Sequence, residues 1–142
     1  MKLKVKGLAD VSRSLEELGK TSKEALADTI NDILMDTQSF AVKGLKSGPA
    51  SGRTYFRGGV SHKASAPGQY PMSDTGRLQS SIQFNMATPA SLRGDVGTNI
   101  KYGLYLEFGT STMAARPWLL PSFKQSVATI GKELKAKFEG GV

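Results

Sequence analysis

Few side chains in this 142-residue chain can do chemistry, and their spacing limits what they can do. There is one histidine, His62, and no cysteine. The nitrogen and sulfur ligands that zinc prefers are therefore nearly absent, and thiolate catalysis and disulfides are excluded. As a general base His62 needs an orienting carboxylate and a nucleophile. Ser61 and Ser65 are near it, but the next acid is Asp74. The reading favoured is an exposed loop histidine, with a small hydrolase as the competing one. Glu16 and Glu17 are adjacent, so they point to different sides of a helix and cannot act on one bond. Asp28, Asp32 and Asp36 share a face at i, i+4 spacing; a hard cation accepts such oxygens, yet a row of acids on an amphipathic helix is ordinarily solvated. Glu107 stands inside an apolar run. It is either a base of unusual pKa or a structural carboxylate that pairs with Lys101 or Arg116 or caps a backbone turn, and the structural role is preferred. Gly19-Lys20-Thr21 matches the end of a phosphate-binding loop, but that motif needs a glycine where Ser14 stands and a strand before it.

Arg53, Tyr55, Phe56, Arg57, His62 and Lys63 interleave bases with aromatics, a mixture that serves nucleic-acid stacking and phosphate contact. The net charge of +7 is spread out, however: +1 over residues 1–48, +3 over 49–100, +1 over 101–118 and +2 over 119–142. Nucleic-acid binders concentrate such charge on one face. A mildly basic surface is the plainer reading, with the aromatics of Arg53–Arg57 docking into a neighbouring protein.

The elements that must position these residues belong to an α+β chain, and its length suits one domain over 1–142. The core is modest, since 39% of residues are hydrophobic and 16 are glycine. No apolar run reaches the roughly 18 residues of a membrane span, and the basic start lacks the apolar stretch of a signal peptide. A soluble protein made in the cytoplasm is expected. Leu3 and Val5 alternate with lysines as a short edge strand. Leu8, Val11, Leu15 and Leu18 predict a helix stopping at Gly19, and Thr21-Ser22-Lys23-Glu24 predicts a capping box for the next. That second, long amphipathic helix carries Leu26, Ile30, Ile33, Leu34, Ala41, Val42 and Leu45 and ends at Gly48-Pro49. Residues 47–75, rich in glycine, proline and serine, form a long loop with at most a brief strand at Tyr55, Phe56 and Val60. The loop is expected to be mobile until a partner orders it.

Ile82, Phe84 and Met86 alternate as a half-buried strand. A turn at Thr88–Ser91 leads to a second strand, Leu92 to Thr98, completing a hairpin that makes a small antiparallel sheet. Residues 102–108 read as a short helix ending at Gly109, with a strand as the alternative. Trp118, Leu119, Phe123, Val127, Ile130, Leu134 and Phe138 predict a final helix. It must begin near Pro117 or Trp118 so that Pro121 falls in the first turn. Residues 139–142 are expected to fray.

Three stretches, taken in order, resemble the tail-completion or neck (head–tail joining) proteins of long-tailed bacteriophages and prophages. They are Ser65–Pro71 with Asp74–Leu78 and Ser81-Ile82; Val96–Thr98 with Tyr102–Thr110; and Ala115–Leu119 with Pro121. The sequence departs from that pattern at Gly103, where alanine is common, and at Trp118, where phenylalanine is.

The resemblance, which covers residues 8–138, implies a structural virion protein without enzymatic activity, metal or cofactor, made in the host cytoplasm. Such a subunit forms a ring, sixfold, at the head–tail junction or head-proximal tail end. It contacts the tail-tube protein on one side and the head connector or stopper on the other, and DNA passes through the channel without specific recognition. The motif residues then have structural or assembly roles. Gly76 and Gly109 make turns, and Leu78 and Thr110 accompany them. Tyr102, Tyr105 and Phe108 pack the short segment onto the hairpin and last helix. Glu107 anchors the turn into Gly109-Thr110, while Pro117 and Trp118 fix where that helix starts. A small basic nucleic-acid-binding module is the alternative function.

Overall fold

The computed structural model describes residues 8–139, and of their side chains all but those of 8–12, 137 and 138. The expected edge strand at Leu3–Val5, the terminal glycines and the packing of Leu8, Val11 and Phe138 lie outside that description. The fold is α+β: helix α1 (Leu8–Ser47), strands β1 (Thr54–Arg57) and β2 (Val60–Lys63), a single turn α2 (Arg77–Ser80), strands β3 (Ile82–Asn85) and β4 (Asp95–Thr98), and helices α3 (Lys101–Phe108) and α4 (Leu119–Glu139). The strands make two separate antiparallel hairpins rather than one sheet.

Helix α1 is one uninterrupted rod of 40 residues, roughly 60 Å at the usual rise. The expected break at Gly19 and the capping box at Thr21 do not exist. A mid-helix glycine costs only about 1 kcal/mol against alanine, which good helix formers on both sides outweigh. The Ser22 hydroxyl bonds the Leu18 carbonyl at 2.8 Å, four residues back, as hydroxyls do inside a helix. The buried face of α1 carries Ala27, Leu34, Thr37, Ala41 and Leu45. Leu26 is exposed and Ala27 faces inward in its place.

Helix α4 packs antiparallel to α1 through a face that includes the expected Trp118 and Ile130 but not the rest of the expected series. Trp118, Ser122, Ser126 and Ile130 are buried at i, i+4 spacing, whereas Phe123, Val127 and Leu134 are exposed. Small serines let the helices approach closely, and each hydroxyl is satisfied. Ser126 donates to the Ile33 carbonyl at 2.8 Å, and Ser122 donates to the Trp118 carbonyl at 2.6 Å. Tyr70 reaches between the helices: its ring occupies the space a Cβ on Gly44 would take, and its hydroxyl lies 3.0 Å from that of Ser122. The core joins Ala41, Leu45, Leu78, Ile82 and Trp118, with Tyr70, Val96, Leu106 and Leu119 against it.

The β3–β4 hairpin pairs Ile82 with Thr98 and Phe84 with Val96. Its far strand starts at Asp95, not Leu92; just before it Gly94 presses its backbone against Leu34, whose side chain occupies the space a Cβ would take. Two polar residues of α1 hold the near strand. Gln38 donates to the Ile82 carbonyl at 2.8 Å, and Asn31 both donates to and accepts from the backbone of Ala87.

Residues 47–75 hold more structure than the loop expected: the brief strand read at Tyr55, Phe56 and Val60 falls on two strands, β1 and β2. Strands β1 and β2 turn at Gly58-Gly59, both with positive φ as a tight hairpin turn demands. The remainder is tied down by backbone bonds from Gly52 to Ala64, Gly68 to Ala115 and Ser73 to Leu45.

Candidate functional site

Two regions gather the residues singled out by the sequence: the junction of α3 with α4, and the β1–β2 hairpin. At the junction the organising group is Glu107. An α-helix begins with amides that lack intrahelical partners. The Glu107 carboxylate accepts those of Trp118 (2.8 Å), Leu119 (2.9 Å) and Leu120 (2.9 Å). The next residue, Pro121, has no amide to satisfy. One carboxylate and one proline thus complete the N-terminus of α4, and the negative charge meets the positive end of the helix dipole. This corrects the expectation that Glu107 anchors the turn into Gly109-Thr110 or pairs with Lys101 or Arg116. Arg116 instead donates to the Ser65 carbonyl at 3.1 Å.

Trp118 is 1% exposed, and its indole N–H donates to the Gly103 carbonyl at 3.0 Å. Gly103 is the buried residue of α3. A Cβ there would meet Thr98 Cγ2 at 2.7 Å and Leu78 Cδ1 at 3.0 Å. The alanine common at this place in the resembled pattern would force a shift here. Pro117 is half-buried ahead of Trp118. Gly109 closes α3 with φ 76°, and a Cβ on it would stand 2.8 Å from the Met113 carbonyl. The Thr110 hydroxyl caps the turn that follows by accepting the Met113 amide at 3.1 Å. Gly76, at φ 71°, turns the chain into α2, which buries Leu78 in the core.

Tyr102, Tyr105 and Phe108 do not pack onto the hairpin and last helix. All three are exposed, Phe108 to 76%, as is Leu104. Because α3 approaches the core through Gly103, these four are turned outward, whereas Leu106 packs against the core. Leu104 and Phe108, together with Val96, Ile100, Leu120 and Phe123, border an open apolar groove of ≈ 500 Å³. Below it, exposed Val127 and Leu134 continue the apolar surface along α4.

The β1–β2 hairpin brings together Arg53, Tyr55, Phe56 and Arg57, all exposed, Phe56 to 78%. Arg57 pairs with Asp74 at 2.7 Å, and His62 Nδ1 stands 3.3 Å from the other oxygen of that carboxylate. His62 also stacks on Tyr55, ring centroids 5.5 Å apart. His62 is therefore half-buried rather than free in a loop, and Asp74 is the point at which the hairpin is fastened to the body. No hydrogen bond joins His62 to a serine hydroxyl among the described residues. Asp28 and Asp32 are exposed on α1 and Asp36 is half-buried. Among the described residues no group of three histidines, aspartates or glutamates stands close enough to hold a metal ion, and no helix is long and apolar enough to cross a membrane.

The roles of Asn31, Gln38, Ser122 and Ser126 escape sequence reasoning. Their only signal is a polar residue at helical spacing from buried apolar ones. No protein-family model, curated protein or solved structure matches the chain.

Proposed function

We propose that this chain is a structural subunit of a tailed-phage virion, of the tail-completion or neck kind, assembling as a homo-oligomeric ring at the head–tail junction or head-proximal tail end. The observation that carries the reading is the fate of the residues that stand at the positions of that family pattern, Gly103 and Trp118 being its two departures. Leu78, Gly103, Glu107 and Trp118 meet at one junction and do structural work there, while Gly109 closes α3 and Pro117 precedes α4. The remaining large ones, Tyr102, Tyr105 and Phe108, are exposed, and Phe108 borders an apolar groove. Apolar surface of that kind on a small protein marks a protein–protein contact. A sixfold ring with the tail-tube protein on one side and the head connector or stopper on the other follows from the resemblance, as does a channel through which DNA passes unread. No catalytic role is proposed for any residue.

Electron microscopy of the purified protein, alone and mixed with tail tubes, tests this. Rings that cap one end of the tube are expected; uncapped tubes at saturating protein would overturn the reading. A basic nucleic-acid module is the second reading, favoured by exposed Arg53 and Phe56 at the β1–β2 hairpin. Against it, Tyr55 already stacks on His62 and Arg57 is paired with Asp74. It requires DNA affinity that falls steeply with salt, and no binding at low salt would remove it.

A further inference from the structure

The β1–β2 hairpin stands in solvent on both faces: of its eight strand residues only His62 is less than exposed. A two-stranded hairpin is marginal in water unless something packs against it, and this one presents Phe56 and Val60 openly. Its charge is one-sided. Residues 50–73 contain Arg53, Arg57 and Lys63 and no acid, and the nearest acid, Asp74, is already paired with Arg57.

The complementary surface is on α1. Residues 25–42 contain Asp28, Asp32 and Asp36 and no lysine or arginine. Neighbours three and four apart share a helix face, so the aspartates and Met35 lie on one strip, with small Ala25 and Ser39 at its margins. Met35 is exposed there. None of the three aspartates forms an ion pair among the described residues. One strip thus offers acids around an apolar knob, and one face of the hairpin, on which Phe56 pairs with Ser61 and Thr54 with Lys63, offers an apolar side chain beside a base.

The hairpin cannot reach the strip of its own chain. It is fastened to Asp74 beside the C-terminal end of α1, where Ser73 bonds Leu45. Asp32 lies 13 residues further back, roughly 20 Å along the helix. The two surfaces meet between copies, and where they do so head-to-tail the contact is of the type that closes into rings. We infer that the β1–β2 hairpin of one copy docks on the Asp28–Asp32–Met35 face of α1 of the next. This deepens the ring-forming reading above and rests on it.

Charge exchange with rescue tests it on the full chain. Arg53→Glu with Lys63→Glu, and separately Asp28→Lys with Asp32→Lys, are placed at exposed positions, so circular dichroism should report an unchanged fold. Each pair is expected to weaken self-association by about tenfold or more in sedimentation. The chain carrying all four changes should regain most of it, which an indirect effect would not produce. Because the native chain lacks cysteine, mixing Phe56→Cys with Met35→Cys under oxidation should yield a disulfide-linked dimer, and neither alone should do so efficiently. Normal assembly of both exchange pairs without that cross-link would overturn this contact and leave the ring reading intact. So would exchange in the hairpin that abolishes DNA binding and spares assembly, since nucleic acid would then be its occupant. A native chain that stays monomeric at every concentration and caps no tail tube would overturn both.

Discussion

Glu107 and Trp118 show how much one residue can settle. Glu107→Ala strands three amides at the start of α4, and leaving such donors unmet costs on the order of 1–3 kcal/mol or more when the lost acceptor is charged. Chemical denaturation should therefore show a loss of at least about 2 kcal/mol, and Glu107→Gln, which keeps one acceptor oxygen, a smaller one. Equal stability of the native and Glu107→Ala chains would mean that the cap contributes nothing. Trp118→Ala removes a fully buried side chain and its bond to Gly103; a loss of about 3–5 kcal/mol is expected. A loss under about 1 kcal/mol would place the indole in an interface rather than in this core. Both residues are legible in the sequence as structural. Trp118 heads a helical apolar series, and Glu107 is a carboxylate amid apolar neighbours. Its actual acceptor role is not legible, because the amides it serves lie eleven to thirteen positions away.

Among the elements, the helices are partly legible and their faces less so. Helix α3 and its stop at Gly109 follow from a short apolar run followed by glycine, and the start of α4 follows from the place of Pro121. The apolar series of α4, in contrast, points to Phe123, Val127 and Leu134, which are exposed, while Ser122 and Ser126 are buried. Periodicity assigns the inward face to the larger side chains. Here close approach to α1 assigns it to the smaller, and only three-dimensional contact reveals the hydroxyl partners. The same limit applies to Gly19, which carries local signals for a helix end and yet sits mid-helix with open space around it. Gly19→Ala should consequently raise stability, by about 0.5–1 kcal/mol. Were Gly19 a C-cap in the left-handed conformation, the same change would lower it, so the sign of the shift in thermal midpoint decides the matter.

At the scale of the whole molecule, packing is uneven along α1. From Arg13 to Leu26 every side chain is exposed, and burial begins at Ala27. The outer third of the rod therefore extends past the core, held by its own hydrogen bonds with Leu15, Leu18 and Leu26 uncovered. An unpacked helix opens at little free-energy cost, whereas a core segment opens only near the global limit. If that difference is about 3 kcal/mol, amides within 13–26 should exchange with deuterium roughly 100-fold faster than those within 27–45. Mass spectrometry of the free chain would measure the contrast, and a uniform rate along α1 would mean that the outer third is already covered. An assembling protein adds a second expectation. Association should slow exchange at the exposed surfaces it covers, and the β1–β2 hairpin, uncovered on both faces, should gain protection together with the Asp28–Asp32 strip. Protection gained by one without the other would break the pairing of the two surfaces while leaving assembly itself in place.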